Sequence, residues 1–365
     1  MNIPFVDLKA QYQSIKEEID EAIQSVIENT AFIKGKYVQQ FEEDYAEAYG
    51  VKHVVSCGNG TDAIYITLKS LGIGQGDEVI TVANTWISTS ETITQTGAKP
   101  VFVDIQPDYY TIDVSKIEEK ITPRTKAIIP VHLFGQPVDM TEVMRIAKKY
   151  SLKVIEDCAQ AHFSQWDGKN VGTYGDVGTF SFFPGKNLGA YGDAGCIITN
   201  KDKLAETMRM YSNHGALVKH NHKFEGINSR LDGMQAAIIL EKMKFINQWT
   251  EKRIKCASNY HELLTNANIV LPSIHPLAKH VFHLFVIRSK DRNKVQKHLH
   301  ENGISTGIHY PTALPFLEAY SYLGHTPDDF PVAYDYSKKI LSLPIYPELD
   351  IKSQKYIKSK LFFEE

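Results

Sequence analysis

Lys186 stands in a short turn that is rich in small residues. The turn follows an apolar, strand-like segment and reads Ser181-Phe182-Phe183-Pro184-Gly185-Lys186-Asn187-Leu188-Gly189. Most lysines are solvated surface charges, but a lysine held in a closed pocket can lose its proton. The neutral amine is then a nucleophile that forms a Schiff base with a carbonyl compound. The setting of Lys186 therefore predicts covalent amine chemistry.

An acidic residue beneath a pyridine nitrogen would complete this chemistry. Asp157 ends the apolar run Val154-Ile155-Glu156-Asp157, and parallel sheets bind ligands at the carboxyl ends of their strands. A carboxylate there keeps the ring nitrogen of pyridoxal phosphate (PLP) protonated, so that the ring accepts the electron pair of a broken C–H bond. The neighbouring Glu156 is the competing candidate. Lys186 and Asp157 together predict a PLP enzyme.

Two residues that follow Asp157 are further candidates for the same site. Gln160 lies three residues after Asp157 and could reach the 3-oxygen of the PLP ring. His162 either supports Asp157, lines the substrate side or packs in the core. The sequence leaves these three roles of His162 open.

The phosphate of PLP needs backbone amides, which a helix N-terminus supplies with a dipole that favours an anion. Gly58-Asn59-Gly60-Thr61 lies between a predicted strand and a predicted helix. Gly60 allows a close approach of the backbone, and Thr61 offers both its amide and its hydroxyl group. Ser181, five residues before Lys186, is another possible donor. The alternative interpretation is an ordinary strand-to-helix turn.

Trp86 is the candidate for stacking on the face of the PLP ring. It follows the predicted strand 78–82, which places it at the same sheet edge as Asp157. A tryptophan in the core is the alternative. The polar neighbours in Asn84-Thr85-Trp86-Ile87-Ser88 indicate a loop and so favour stacking.

Short apolar strands alternate with helices in the first half of the chain, which predicts a mostly parallel sheet covered on both faces. The predicted strands are 53–57, 78–82, 100–104, 127–131, 153–156, 179–183 and 196–199. A long helical stretch follows, and beyond it predicted strands at 281–287 and 304–310 flank a helix. We therefore predict a large domain over 1–245 and a smaller α+β domain over 246–365.

The composition excludes several classes of protein. A formal net charge of −3 gives no reason to expect nucleic acid or an acidic membrane surface as a partner. No apolar run approaches the roughly 20 residues of a membrane helix, and the N-terminal residues lack the pattern of a signal peptide. The cysteines are scattered, without a Cys-x-x-Cys pair or metal-ligand spacing. We expect reduced thiols, no metal and a cytoplasmic location.

Several segments together resemble one known family. They are Pro4-Phe5-Val6-Asp7-Leu8, Gly60-Thr61-Asp62-Ala63, Pro130-Val131-His132-Leu133-Phe134-Gly135, Glu156-Asp157-Cys158-Ala159-Gln160-Ala161-His162, the Lys186 turn, Gly226-Ile227-Asn228-Ser229-Arg230-Leu231-Asp232 and His309-Tyr310-Pro311. On these segments, which span nearly the whole chain, the sequence resembles the DegT/DnrJ/EryC1/StrS group of sugar-nucleotide aminotransferases. The resemblance implies an α/β protein with the aspartate aminotransferase fold (fold type I). This fold has a large domain with a mostly parallel mixed sheet and a small C-terminal α+β domain.

The resemblance also implies roles for the matching residues. It gives catalysis to Lys186 and Asp157, and it gives PLP binding to Gly60, Thr61, Trp86, Asp157, Gln160, Ser181, Lys186 and Asn228. Asn228 would reach the phosphate bound by a neighbouring subunit, which implies a homodimer with shared active sites. Substrate binding is expected from His309 and Tyr310, with Lys219 and His162 as further candidates.

The function implied by the resemblance is transfer of the amino group of L-glutamate to a nucleotide-linked keto sugar. The segment Ala159-Gln160-Ala161-His162 is similar to the branch that acts on 3-keto sugars. It implies C3 of a dTDP-3-keto-6-deoxyhexose as the acceptor, in the biosynthesis of an amino-deoxy sugar for a lipopolysaccharide or another glycan. A dTDP- or UDP-linked 4-keto sugar and an inosose are alternative acceptors. A PLP-binding regulator without turnover is the alternative function.

Overall fold

The described part of the chain contains twelve α-helices and twelve strands. The computed structural model describes residues 1–265 and 269–361, so residues 266–268 and 362–365 of the predicted small domain lie outside it. The helices are α1 (Leu8–Ser14), α2 (Lys16–Glu28), α3 (Lys36–Tyr49), α4 (Gly60–Ser70), α5 (Ser88–Gln95), α6 (Met140–Tyr150), α7 (Asp202–Tyr211), α8 (Gly233–Met243), α9 (Ile246–Leu264), α10 (Arg292–Glu301), α11 (Pro331–Ser337) and α12 (Ile351–Leu361). The strands are β1 (His53–Cys57), β2 (Glu78–Val82), β3 (Lys99–Val103), β4 (Thr125–Ile129), β5 (Lys153–Asp157), β6 (Gln165–Trp166), β7 (Lys169–Asn170), β8 (Val177–Ser181), β9 (Gly195–Thr199), β10 (Ala278–Lys279), β11 (Phe285–Arg288) and β12 (Ile340–Leu343).

A seven-stranded sheet has the strand order β1-β9-β8-β5-β4-β2-β3. Neighbouring strands from β8 to β3 are parallel, whereas β9 is antiparallel to both β1 and β8. Helices cover the sheet, so β2 and β9 are buried along their whole length. The predicted α/β fold with a mostly parallel mixed sheet is confirmed, and every predicted strand of this sheet lies within two residues of its observed bounds.

Short polar side chains cap the first turns of two helices that flank this sheet. The side chain of Asn59 accepts from the Asp62 amide at 2.8 Å at the start of α4. The side chain of Asp232 accepts from the Gln235 amide at 2.8 Å at the start of α8. These caps satisfy amides that have no partner within the helix, which fixes where each helix begins.

The C-terminal part has its own smaller sheet and core. Strands β11 and β12 pair antiparallel, and α9, α10 and α12 pack beside them. A separate cluster of buried side chains fills this part, including Tyr260, Phe285, Leu299, Leu341 and Ile357. The predicted domain boundary near residue 245 falls between α8 and α9, and the division into two domains stays a prediction.

The predicted strand at 304–310 is wrong. Only two isolated bridges form there, from Ile304 to Ile3 and from Gly307 to Ser342. The chain bends at residue 309 instead of continuing as a strand, and a Cβ atom on Gly307 would lie 2.6 Å from the His309 ring. This bend turns residues 309–310 away from an extended path. Among the described residues, no helix combines the length and the apolar character that crossing a membrane requires.

Candidate active site

The loop that carries Lys186 connects β8 to β9. The Lys186 amide donates to the Phe183 carbonyl at 2.8 Å, which closes a tight turn. A Cβ atom on Gly189 would lie 2.4 Å from the Pro184 carbonyl oxygen, so only glycine fits this part of the loop. These local constraints fix the position from which the Lys186 side chain extends.

Burial lowers the pKa of Lys186 to about 8, while the nearby carboxylate of Asp157 acts in the opposite direction. With this pKa about a tenth of the lysine is neutral at pH 7, against roughly 1 part in 2,500 at the ordinary value of about 10.4. Within the described residues no protein oxygen accepts a hydrogen bond from Nζ. The amine is therefore free to react with a carbonyl group.

The carboxylate of Asp157 is held at both oxygens. Asp157 ends β5 and is 5% exposed. Its Oδ2 accepts from the Thr89 hydroxyl at 2.7 Å, and its Oδ1 accepts from the Ala159 amide at 3.1 Å. A buried carboxylate oriented in this way presents a fixed negative charge at the carboxyl end of the sheet, on the side where Lys186 lies.

Glu156 serves the fold on the opposite face of the same strand. Its side chain is 0% exposed and accepts from the amides of Gly172, Tyr174 and Gly175 at 2.7 to 2.8 Å. His132 Nε2 lies 3.1 Å from the same carboxylate. Successive side chains of a strand point to opposite faces, so Glu156 cannot share the position of Asp157. Glu156 is therefore used by the fold, and Asp157 stays the predicted partner of the ring nitrogen.

Thr89 is a contact that the sequence did not reveal, and we expect its replacement to weaken the site. Thr89→Val keeps the shape but removes the hydroxyl that orients Asp157, and a hydrogen bond to a charged group is worth about 1.5–3 kcal/mol. We expect kcat to fall about tenfold or more, because each 1.36 kcal/mol of lost transition-state stabilisation is a factor of ten. Steady-state kinetics on the purified protein measure this.

Thr92→Val is the matched control for Thr89→Val. Thr92 is also buried on α5, but its hydroxyl donates to the Ser88 carbonyl at 2.8 Å within the helix. We expect Thr92→Val to leave kcat close to that of the unmodified protein. Equal losses of kcat in the two variants would contradict a specific role for Thr89.

Backbone amides and hydroxyl groups converge at the N-terminus of α4. A Cβ atom on Gly60 would lie 2.6 Å from the Cβ of Ser181, so the absence of a side chain lets α4 approach the end of β8. The hydroxyl groups of Thr61 and Ser88 are 2.7 Å apart. Free helix amides beside three hydroxyl groups form a suitable site for a phosphate. Ser88 was not among the residues predicted from the sequence.

Trp86 is on the surface of this chain and not in its core. It is 58% exposed, and the centre of its ring lies 5.8 Å from that of Tyr310. The Tyr310 hydroxyl accepts from Gln160 Nε2 at 3.0 Å, and Gln160 Oε1 accepts from the Phe134 amide at 2.7 Å. Burial raises the pKa of Tyr310. The three predicted residues Trp86, Gln160 and Tyr310 therefore lie together.

His309 is close to Lys186 and neutral at physiological pH. Its Nδ1 lies 2.8 Å from the Ser342 hydroxyl, and its ring stacks on Phe5 at 5.7 Å between centres. Burial, assisted by the positive charge of Lys186, lowers the pKa of His309 to about 4. The residue can therefore offer hydrogen bonds to a ligand but no positive charge.

His283 is a further residue of this region that sequence reasoning missed. Asn187 Nδ2 donates to the Val281 carbonyl at 3.1 Å, so Asn187 Oδ1 accepts from His283 Nδ1 at 3.3 Å. Burial and the charges of Lys186 and Arg253 lower the pKa of His283 well below its ordinary value. Its Nε2 is then an acceptor near Lys186. As the one polar side chain in the run 281–287, His283 could have been recognised from the sequence.

His162 occupies a different position from the one expected of a substrate ligand. Its side chain is 0% exposed, and its ring nitrogens bond to the Tyr45 hydroxyl at 3.0 Å and the Ser181 carbonyl at 2.9 Å. Burial lowers its pKa to about 4. Because both ring nitrogens bond to the protein, His162 has no group left to bind a substrate. The prediction that His162 lines the substrate side is therefore wrong. His162 instead supports the end of β8 that carries Ser181.

Asn228 and Lys219 are both exposed on this chain. Neither side chain forms a hydrogen bond or ion pair with any described residue around Lys186. The backbone of Asn228 pairs with that of Asn213, and the Ser229 hydroxyl donates to Asp62 at 2.6 Å beside the turn at residues 58–61. The segment is thus fixed while the Asn228 side chain faces outward.

The residues present fit PLP. An amine with a lowered pKa suits its aldehyde, and an oriented carboxylate suits its ring nitrogen. An exposed indole suits its flat ring, and a glycine-lined helix N-terminus with three hydroxyl groups suits its phosphate. A family model described as the DegT/DnrJ/EryC1/StrS aminotransferase family matches residues 13–362. The chain belongs to this family.

Curated relatives of this aminotransferase include one with a regulatory name and two transaminases. The chain is 46% identical to the "Pleiotropic regulatory protein" of Geobacillus stearothermophilus, over 99% of this chain and 98% of the relative. It is 44% identical to the dTDP-3-amino-3,6-dideoxy-alpha-D-galactopyranose transaminase of Aneurinibacillus thermoaerophilus, over 94% of each. It is 42% identical to the UDP-N-acetyl-3-dehydro-alpha-D-glucosamine 3-aminotransferase of Acidithiobacillus ferrooxidans, over 95% and 94%.

Two solved structures are similar over nearly the whole of this chain. DesV of S. venezuelae superimposes with a TM-score of 0.96 at 37% identity, covering 99% of this chain and 97% of DesV. NtdA of Bacillus subtilis, solved with bound cofactor PMP, gives a TM-score of 0.91 at 35% identity, covering 99% and 84%. The predicted aspartate aminotransferase fold and the predicted cofactor PLP are confirmed. The enzyme is a PLP-dependent sugar aminotransferase.

Proposed function

We propose that this enzyme transfers the amino group of L-glutamate to C3 of a dTDP-linked 3-keto-6-deoxyhexose. The Lys186–Asp157 pair carries the proposal of turnover, because a partly neutral amine faces an oriented carboxylate. Amination at C3 of the sugar is supported by the names of the two transaminases given above, which both refer to position 3. The dTDP nucleotide and the 6-deoxy sugar follow the Aneurinibacillus thermoaerophilus relative.

Each proposed cofactor contact uses a group that is fixed by its neighbours. We assign Lys186 to the aldehyde carbon, Asp157 to the pyridine nitrogen, Trp86 to the ring face, Gln160 to the 3-oxygen side and Gly60, Thr61 and Ser181 to the phosphate. Asn228 would complete the phosphate site of a second subunit, because its side chain faces outward from a fixed segment. This assignment requires a homodimer.

Lys186 has two tasks in the proposed reaction, and both need its neutral amine. It would hold the cofactor between turnovers, and its freed Nζ would take a proton from the carbon that carries the amino group and deliver it to the carbon at the aldehyde position of the cofactor. The low pKa makes this exchange possible near neutral pH. PLP supplies the aldehyde that accepts the amino group and the ring that accepts the electron pair of the broken C–H bond. The carboxylate of Asp157, held by Thr89 and Ala159, would bind the ring nitrogen.

The substrate side of the pocket offers mainly neutral hydrogen-bonding groups. We assign the keto sugar to His309 and Tyr310, with the Nε2 acceptor of His283 beside them. The low pKa of His309 and of His283 means that neither ring neutralises a diphosphate. Lys219 is the proposed cation for that group, supplied by the exposed loop on which it lies.

A panel of keto sugars tests the proposed substrate. The protein is incubated with PLP, L-glutamate and dTDP-3-keto, dTDP-4-keto and UDP-3-keto sugars, and NMR identifies the carbon that gains the amino group. We expect amination at C3 of the dTDP-3-keto-6-deoxyhexose, with release of 2-oxoglutarate. Amination only at C4 would contradict the proposed reaction at C3. Amination only of UDP sugars would contradict the proposed dTDP nucleotide.

A second candidate function is a PLP-binding regulator without turnover. The name of the Geobacillus stearothermophilus relative is the observation that favours it. The same panel, with an inosose added, separates the two functions. PLP binding with no amination of any sugar or inosose would support the regulator, whereas repeated turnovers with glutamate would exclude it.

A further inference from the structure

Lys242 is a buried lysine that the chemistry described above does not use. It lies on α8 and is 0% exposed. Its Nζ donates to the Gly189 carbonyl at 2.7 Å and lies 4.1 Å from the centre of the Tyr191 ring. Among the described residues no carboxylate pairs with it. Burial lowers its pKa to about 7.

The stability of the fold does not explain Lys242. Burying an amine costs free energy, because its charged form is poorly solvated in the interior when no carboxylate compensates it. Methionine has a side chain of similar length and would fill the same space without that cost. The single hydrogen bond that Lys242 makes therefore indicates where its role lies.

The acceptor of that bond belongs to the loop that carries Lys186. Gly189 is buried and lies three residues after Lys186. The chain then returns to the sheet, where the Ala190 amide donates to the Phe182 carbonyl at 2.7 Å. A buried carbonyl without a donor is costly, so the loop depends on Lys242 to keep Gly189 in this position.

Helix α8 holds the same loop at a second point. Gln235 lies seven residues before Lys242, which is close to two helical turns and places both side chains on one face. Gln235 Oε1 accepts from the Tyr191 amide at 2.9 Å. The helix thus binds the loop on both sides of Ala190, through one donor and one acceptor.

We propose that Lys242 is a positioning residue of the active site, whose bond to Gly189 fixes the loop that presents the Lys186 amine to the cofactor. Lys242 does not touch the reacting atoms. Its contribution is the alignment of the amine, which matters because small displacements of a reacting group lower its rate strongly.

Two readouts on the cofactor-free protein test this role without relying on turnover. The first is the Kd for PLP, measured by fluorescence. The second is the rate at which PLP labels Lys186, trapped with borohydride and quantified by peptide mass spectrometry. For Lys242→Met we expect the Kd to rise about tenfold and the labelling rate to fall about tenfold. A factor of ten corresponds to the free energy of about one hydrogen bond. We expect the Tm to change little, because relief from burying the amine offsets the loss of the donor to the Gly189 carbonyl.

Gln354→Met is the matched control for Lys242→Met. Gln354 lies on α12, is 0% exposed, and donates from Nε2 to the Cys256 carbonyl at 2.7 Å. This variant loses the same kind of buried bond, but in the C-terminal core. We expect its Tm to fall while its Kd for PLP and its labelling rate stay unchanged.

A purely structural role for Lys242 predicts the opposite pattern. A lower Tm for Lys242→Met, with Kd and labelling rate within about twofold of the unmodified protein, would overturn the proposal. Should Lys242→Met not fold, Lys242→Gln carries the same test. Its side chain is one bond too short to reach the Gly189 carbonyl with the loop in place, so we expect the same direction of change, and unchanged values would again overturn the proposal.

Discussion

Lys186→Ala is expected to abolish turnover and the visible absorbance of the PLP-bound protein. The variant lacks the amine that we propose to bond covalently to the cofactor and to move the proton, and the described residues offer no second lysine in the same loop. General acid–base catalysis alone contributes about 10²–10⁴-fold, and the covalent role adds to it. Absorbance spectra with PLP and glutamate-dependent amination are the measurements. Undiminished turnover would sink the assignment of Lys186.

Lys186→Arg is the control that separates charge from nucleophilicity. Arginine keeps the positive charge but does not lose its proton in proteins, so it cannot replace the neutral amine. We expect Lys186→Arg to be as inactive as Lys186→Ala. Substantial activity in the arginine variant would mean that only the charge matters.

The labelling of Lys186 by PLP in the unmodified protein is expected to depend on pH. Burial lowers the pKa of Lys186 to about 8, so the reactive neutral form increases as the pH rises through 8 and becomes scarce below 7. The rate should therefore rise about tenfold per pH unit below 8 and level off above it. A rate that still rises tenfold per unit from pH 8 to pH 10 would show that the pKa is not lowered.

Asp157→Asn is the second substitution for which we expect a large loss of activity. An opposite charge within about 4–6 Å shifts a pKa by 1–3 units, so removing it would make the protonated ring nitrogen about 10–1,000-fold less populated. We expect kcat to fall by about tenfold to a thousandfold, in proportion to this population. Steady-state kinetics at several pH values are the measurement, with cofactor saturation confirmed for the variant.

The hydrogen bonds around Asp157 allow this variant to keep its fold. Asparagine can turn its Oδ1 toward the Ala159 amide and its Nδ2 toward Thr89, because a threonine hydroxyl accepts as well as donates. The loss of activity should thus come from charge and not from misfolding. A kcat within about threefold of the unmodified protein would rule out the proposed role of Asp157.

Asp104→Asn is a matched control from the same edge of the sheet. Asp104 follows β3, is 2% exposed, and accepts from the amides of Val332 at 3.1 Å and Ala333 at 2.9 Å at the start of α11. It also lies 3.6 Å from Lys116. Replacing this acid should lower stability while leaving kcat per folded molecule unchanged.

The sequence by itself determined the strands of the main sheet and the chemical types at their ends. The apolar pattern that marks a buried strand or a helix is set by residues that are close in the chain, so it can be recognised in the sequence. The seven observed strands accordingly lie within two residues of their predicted bounds. The sequence predicted that Lys186 and Asp157 lie close together, because Asp157 ends one strand and Lys186 follows another strand of the same sheet. The carboxyl ends of parallel strands lie along a single edge of that sheet. The strand predicted at 304–310 failed because only Ile304 and Gly307 find bridge partners there, and such pairing depends on distant segments and not on the apolar pattern.

Only the tertiary structure decided which groups hold these residues in place. The contacts of Asp157 with Thr89 and of Gln160 with Tyr310 join residues 68 and 150 positions apart. Lys242, which sequence reasoning did not consider, reaches Gly189 from a helix 53 positions away. Such contacts depend on how separate elements pack, and no local pattern records that packing. For the same reason, the sequence could show that Lys186 is a candidate amine, but only the folded chain shows the burial that lowers its pKa.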